Sequence, residues 1–158
     1  MAGTLHIVAT PIGNLDDITA RAIKILGAAD LILCEDTRVA QKMLARFGIQ
    51  KPRESYHQHS TLRKADYILD LLREGKNLAL VSDAGTPGIC DPGNQLVSAA
   101  VEKFGDEIKI IPVPGASAVA AALSVCGFCA DKFVFLGFPP AKNKRKKYFE
   151  ELLANEYT

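Results

Sequence analysis

A chain of 158 residues, 48% hydrophobic and 23% charged, has the size and composition of an ordinary globular domain with a buried core, which argues against disorder. No apolar run approaches the ~20 residues that span a bilayer, and Met1–Val8 lacks the basic and apolar segments of a signal peptide. The expectation is a cytoplasmic protein with no membrane partner. A formal net charge of +1 gives no overall pull toward nucleic acid, although Lys142, Lys144, Arg145, Lys146 and Lys147 cluster near the end.

The chain repeats one pattern, a short apolar strand followed by a turn and an amphipathic helix. Thr4–Ala9 is predicted as a strand, followed by the turn Thr10-Pro11-Ile12-Gly13-Asn14. A helix is then predicted from Leu15 to Ala28, with Ile18, Ala22, Ile25 and Leu26 on one face. Leu31–Cys34 reads as a strand and Thr37–Phe47 as a helix stopped by Gly48. An extended piece near Ser55–His57 precedes a helix capped by Ser60 or Thr61 and running to Glu74. Asn77–Ser82 is almost wholly apolar, as a strand covered on both faces requires. Helix Asn94–Phe104, strand Ile108–Val113 and an alanine-rich helix Ala116–Val125 follow.

After Asp131 the pattern changes. Phe133–Phe138 is predicted as a strand, then come Pro139-Pro140, the basic run and a helix Tyr148–Leu153. Strands separated by helices imply right-handed crossovers, so the fold class is α/β, with a mostly parallel sheet flanked by helices. Residues 1–130 are read as a cofactor- and substrate-binding domain. Residues 131–158 are read as a linker and the first elements of a second α/β domain.

Four cysteines, Cys34, Cys90, Cys126 and Cys129, are expected to be reduced in the cytosol. Cys126 and Cys129 have the C-x-x-C spacing of a redox pair or half a zinc site. No second ligand pair accompanies them, and no helix opens there, so two buried apolar thiols are the preferred reading.

Parallel sheets bind ligands at the carboxyl ends of their strands. In the first turn there, Gly13 and Pro11 shape a strand-to-helix connection that is either a plain turn or an anion site at a helix N-terminus. G-x-G-x-x-G and G-x-x-x-x-G-K-[ST] are both absent, so neither a classical dinucleotide site nor a P-loop is present. The long turn Ser82–Gly93 holds three glycines, two prolines and two aspartates, more conformational specification than chain reversal needs. Its Gly85 and Gly88 leave backbone bare for a flat ligand, Asp83 is suited to accept hydrogen bonds from hydroxyls or an amine, and Asp91 is suited to cap the next helix. In Pro114-Gly115-Ala116-Ser117-Ala118, Ser117 and Ala118 enter the first turn of a helix. Cys34-Glu35-Asp36-Thr37-Arg38 is either a helix cap with an exposed arginine or an acid and a cation lining the cleft mouth.

TPIGNLDDIT, CEDTR, VSDAGTPGICDPG, VPGASA and FVFLGFPP stand in the order and at the spacing of the tetrapyrrole methylase family, which the chain resembles over nearly its whole length. The EDTR and SDAGTPG forms look like the branch that methylates ribose 2′-hydroxyls of ribosomal RNA, not the uroporphyrinogen and precorrin enzymes. The resemblance implies S-adenosylmethionine bound between two α/β domains, a homodimer, and a cytidine ribose of small-subunit ribosomal RNA as substrate. It assigns Pro11, Asp83, Ala84, Gly85, Ile89, Ser117 and Ala118 to the cofactor. Family members have a second domain after the FVFLGF strand, so the chain alone is expected to bind cofactor weakly and turn over little.

In-line methyl transfer relies on positioning, and a base helps a poor hydroxyl nucleophile. Asp36 is the first candidate base and Glu35 the second, with Arg38 suited to an RNA phosphate. His57 and His59 are either inert surface residues or substrate contacts. The basic run 142–147 is either a solvated linker or a phosphate contact that would make binding salt-sensitive. Two other functions compete with RNA methylation: a small-molecule methylase acting on a corrinoid or porphyrin, and a non-catalytic cofactor- or RNA-binding module.

Overall fold

The computed structural model describes residues 2–57, 62–91 and 93–152. The chain divides into two compact units, Met1–Ser117 and Ala118–Thr158. In the first, the strands are β1 Thr4–Val8, β2 Leu31–Cys34, β3 Arg53–Ser55, β4 Leu78–Val81 and β5 Lys109–Val113. The helices are α1 Ala20–Ala28, α2 Thr37–Arg46, α3 Leu62–Arg73 and α4 Gly93–Phe104. The strands form one sheet in the order β3-β2-β4-β1-β5, with every pairing parallel. β1 is held centrally, with Leu5 opposite Leu78 of β4 on one side and Ile110 of β5 on the other. Pro112, which cannot donate to a ladder, lies on the edge strand, where its missing N–H is tolerated.

Alternation along the strands builds two cores. Val8, Ile32, Cys34, Ala79, Val81 and Val113 face α1 and α2, and pack with Ala22, Leu26, Met43 and Leu44. Leu5, Leu31, Leu33, Leu78 and Leu80 face α3 and α4, and pack with Ile68, Leu72, Leu96 and Ala100. Each fully buried leucine contributes about 1.5–3 kcal/mol of transfer free energy. The segregation follows from topology. The connections through α1 and α2 move toward the β3 edge and those through α3 and α4 move back, and right-handed crossovers put the two directions on opposite faces. The neighbours β4 and β1 therefore send their following helices to opposite sides, which opens a crevice at their carboxyl ends.

The predicted helix from Leu15 is two elements. A 3-10 turn, Leu15–Asp17, is capped by Asn14, whose side chain accepts from Asp16 N–H, and α1 starts only at Ala20, where Thr19 Oγ1 accepts from Ala22 N–H at 3.0 Å. Two capping residues in one stretch give two starts, and Ile18 between them is extended. The predicted caps Ser60 and Thr61 lie outside the described residues, as does His59.

The second unit contains α5 Ala118–Val125 and α6 Arg145–Leu152. Lys146–Glu150 and Lys147–Glu151 pairs run along α6, and the Arg145 guanidinium lies 5.0 Å from the Phe149 ring centroid. Two expectations are overturned here. Phe133–Phe138 forms no strand, and its large side chains are exposed. Strand propensity is realised only through a paired neighbour, and no described strand pairs with this segment. Cys126 and Cys129 are exposed, not buried. α5 ends before them, Gly127 turns the chain at φ +75°, and α5 itself buries no residue.

Candidate functional site

Thr10 stands two residues beyond the end of β1 and is 2% exposed. Its N–H donates to Gly85 O at 2.9 Å, and Gly85 N–H donates back to Thr10 O at 3.1 Å. This two-way bridge ties the turn after β1 to the turn after β4. Thr10 Oγ1 also donates to Ser82 O at 3.1 Å, and Ser82 Oγ donates to Gly85 O at 3.2 Å. Buried carbonyls of the long turn are thus satisfied by hydroxyls, as backbone groups away from water require.

The third turn joins through Thr86, whose Oγ1 donates to Ala116 O at 3.2 Å. Gly85 stands at the convergence, at φ +88°. A Cβ placed on it would lie 3.5 Å from Ile12 Cγ2 and 3.9 Å from Ala116 O. Gly115 allows the turns after β1 and β5 to approach, because a Cβ there would meet Ala9 Cβ at 2.9 Å. Asp91 Oδ1 accepts from Gly88 N–H at 2.6 Å and Gly93 N–H at 2.8 Å, so it closes the long turn and caps α4.

The fourth turn, after β2, is braced against the second. Asp36 N–H donates to Asp83 Oδ1 at 3.2 Å, and Asp83 N–H donates to Glu35 Oε1 at 3.3 Å. The two adjacent acids have opposite environments. Asp36 caps α2 by accepting from Arg38 N–H, and its carboxylate is gripped by the Arg38 guanidinium, Nη2 to Oδ2 at 2.6 Å. The bonds from Arg38 hold the Asp36 carboxyl well below the usual carboxylate range. Burial raises the Glu35 carboxyl, and the nearby charges of Asp83 and Asp91 add to this against the Asp83 N–H bond. Cys34 beneath them is pushed up to about 11 by burial and then by Asp83, so it is a neutral thiol at ordinary pH.

Of the residues singled out from sequence, Pro11, Asp83, Ala84 and Gly85 come together through the Thr10–Gly85 bridge. Asp83 and Ala84 are exposed at the rim, while Gly85 and Pro11 are buried. Ile89 is half-exposed farther along the same turn. Ser117 follows the laced Ala116 at the end of the first unit, and Ala118 opens α5 in the second. Glu35 and Asp36 reach Asp83, whereas the Arg38 side chain turns to Asp36 and is 86% exposed. His57 is exposed beyond the end of β3. The sequence reading missed Thr10, Thr86 and Gly115 as positioning residues. Their signal was a hydroxyl or a glycine inside each turn, without a local partner in the sequence.

A separate open groove of about 600 Å³ runs behind the long turn, between Ile7, Pro87, Val97 and Val101, with Glu102 at its edge. It is mostly apolar and contains neither Asp83 nor Glu35. The polar rim at the strand ends is the better candidate site, because ligand orientation depends on convergent polar groups. Among the described residues, no His, Cys, Asp or Glu cluster could hold a metal ion, and no helix is long and apolar enough to cross a membrane.

A parallel sheet with laced, glycine-bearing turns at its carboxyl ends is the frame of an α/β ligand-binding domain. The family model for Tetrapyrrole (Corrin/Porphyrin) Methylases matches residues 4–158, and the chain belongs to that family. It is similar to the curated ribosomal RNA small subunit methyltransferase I of Synechocystis sp., with 49% identity over 98% of this chain and 54% of the relative. The protein of that name from Haemophilus influenzae is 46% identical over 99% of this chain and 54% of its own length. The chain therefore spans about half the length of these relatives.

Among solved structures, cobalt precorrin-4 methyltransferase, a cobalamin biosynthetic enzyme, superposes with a TM-score of 0.58 at 27% identity. The match covers 77% of this chain and 49% of that one. Uroporphyrin-III-C-methyltransferase from Thermus thermophilus, at 23% identity and TM-score 0.60 over 82% of this chain and 55% of its own, shares the fold.

Proposed function

We propose that this chain carries the S-adenosylmethionine-binding part of a methyltransferase that acts on the 2′-hydroxyl of a cytidine ribose in small-subunit ribosomal RNA. The observation that carries the reading is the rim itself. Asp83 and Ala84 stand exposed on turns that are already locked to one another, beside two acids with divergent proton affinities. The names of the relatives supply the substrate class.

The residues fit the cofactor. Exposed Ala84 puts only a methyl group in the way of a flat ligand, and exposed Asp83 presents a carboxylate to ribose hydroxyls or an amine. Pro11, Ala84, Ile89 and Ser117 complete the proposed contacts. When bound, S-adenosylmethionine supplies an electrophilic methyl group on a sulfonium. The protein's part is to hold the acceptor oxygen in line and take its proton. We assign the proton to Glu35, whose burial favours the protonated form. Asp36, though first by sequence, is held ionised by Arg38 and is too weak a base for this task. Arg38 pairs with Asp36 through Nε and Nη2, which leaves Nη1 for an RNA phosphate. The same reading includes a homodimer.

The test is calorimetric titration with S-adenosylmethionine, on this chain and on the full-length protein, each beside Asp83→Ala. Binding by the parent that is lost or weakened at least tenfold in the variant is expected. Absence of binding to the full-length protein at millimolar cofactor overturns the reading. Methyl transfer by the full-length protein to a tetrapyrrole but not to small-subunit RNA would replace the substrate with the one named in the structural relatives.

A further inference from the structure

We propose that Cys126 and Cys129 form a modification site, a dithiol that a low-molecular-weight disulfide oxidises to an intramolecular bond. Both thiols are exposed and free. They flank a bend made by Gly127 at φ +75° and Phe128. The bend folds the Cys126 sulfur over the spacer. It accepts from Phe128 N–H at 3.4 Å and lies 4.0 Å from Phe128 O, an atom of the peptide group that also contains Cys129 N. The sulfur thus lies against the peptide unit that leads into Cys129, and the two-residue spacer is that of a redox pair.

The Cys129 thiol is turned the other way and donates to Asp131 Oδ2 at 3.4 Å. The Cys126 thiol also donates to Leu123 O at 3.3 Å, so closure requires both thiols to leave these acceptors, by side-chain rotations that exposed residues complete in picoseconds to nanoseconds. The competing assignments of this spacing fit less well. Among the described residues no third metal ligand stands with the pair. The pair follows α5 instead of opening it, so it lacks the helix N-terminus that activates the attacking cysteine of a disulfide oxidoreductase. The dithiol is a substrate for exchange, not a catalyst of it.

The chemistry balances in two steps. One cysteine gives its proton to solvent and its thiolate attacks the small disulfide, forming a mixed disulfide and releasing one small thiolate. The second cysteine, deprotonated in turn, attacks the mixed disulfide at the protein sulfur and releases the other small thiolate. The protein is oxidised by two electrons, and the small disulfide is reduced to two thiols. The product closes a ring around Gly127 and Phe128 and fixes the exit of the chain from α5.

The experiment uses oxidised glutathione on the folded chain in a Cys90→Ser background, because Cys90 is also exposed while Cys34 is buried. Thiol titration and intact mass are read together, with circular dichroism to confirm folding. The expected product has lost two thiols and two hydrogens, carries no glutathione, has no covalent link to a second chain, and yields a linked 126–129 peptide that dithiothreitol opens. Adding Cys126→Ser should leave Cys129 as a glutathione adduct. Adducts on both cysteines, disulfides between chains, or two unreacted thiols would each overturn the proposal.

Discussion

Replacing Thr10 by valine tests whether hydroxyls hold the site's turns together. The substitution keeps the shape of a residue that is 2% exposed, but exchanges Oγ1 for a methyl group. Oγ1 donates to Ser82 O at 3.1 Å, and Ser82 is itself 7% exposed, so the carbonyl loses a donor where water cannot replace it. An unsatisfied buried acceptor costs about 1–3 kcal/mol, and the added methyl returns at most ~0.8 kcal/mol of transfer free energy. A net loss of about 1–2 kcal/mol follows. In urea the midpoint should fall by about 0.5–1 M with the slope unchanged. Amide exchange should quicken at Gly85 and Thr10, whose N–H groups make the reciprocal bridge. A Thr10→Val protein with the parent's midpoint and unaltered protection at these amides would refute the reasoning.

Gly115→Ala places a Cβ 2.9 Å from Ala9 Cβ and should destabilise by about 1–3 kcal/mol through overpacking, read as a lower melting temperature. Gly85→Ala meets only ordinary contacts but must hold φ +88°, so thermal unfolding should show a loss of about 1–2 kcal/mol from backbone strain alone. The Glu35 carboxyl is raised by burial in the folded protein, so its stabilising contribution is complete below the ordinary carboxylate range and is lost as pH rises through the raised value. Glu35→Gln should therefore gain stability relative to the parent as pH rises above the ordinary carboxylate range, and a pH-independent difference in denaturation midpoint would contradict this. In the full-length protein Glu35→Gln should abolish methyl transfer with cofactor binding intact, whereas Asp36→Asn should retain it. The reverse ranking in a single-turnover assay would return the base to Asp36.

The sheet was legible because its strands are short apolar runs that needed only their own composition. Leu31–Cys34 and Leu78–Val81 are buried at every position, as unbroken apolar runs between turn residues foretold. The long turn was legible because its glycines and prolines are local signals. The lacing was not, since Thr10 finds its partners 72 and 75 residues away and Thr86 finds its partner 30 residues away, and spacing carries no record of such pairs. Which of Glu35 and Asp36 suits the base role we propose was not legible, because neighbouring acids look alike in a sequence. What separates them is that the Arg38 guanidinium grips the Asp36 carboxylate while burial raises the Glu35 carboxyl. Phe133–Phe138 misled for the opposite reason: its local pattern was that of a strand, and pairing is a non-local condition.

The division of labour within these turns bears on how a ligand would be held. The groups that lock the turns, Thr10, Ser82 and Gly85, are buried, while Asp83, Ala84 and Ile89 of the same segment are exposed. A loop ordered only by its ligand would draw its conformational cost from binding energy, about 1–2 kcal/mol for each backbone residue fixed. Here the ordering is done by hydroxyl-to-carbonyl bonds beneath the surface, before any ligand arrives. The rim can then present a carboxylate and the small side chain of Ala84 in a fixed arrangement, as preorganised recognition requires. This separation also gives Thr10→Val and Asp83→Ala different signatures. The first should lower both stability and cofactor affinity, because it loosens the frame. The second should lower affinity more than stability, because Asp83 is exposed and its bond to the Asp36 N–H is part of an open rim. Equal effects of both variants on both quantities would mean that the frame and the rim are one cooperative element.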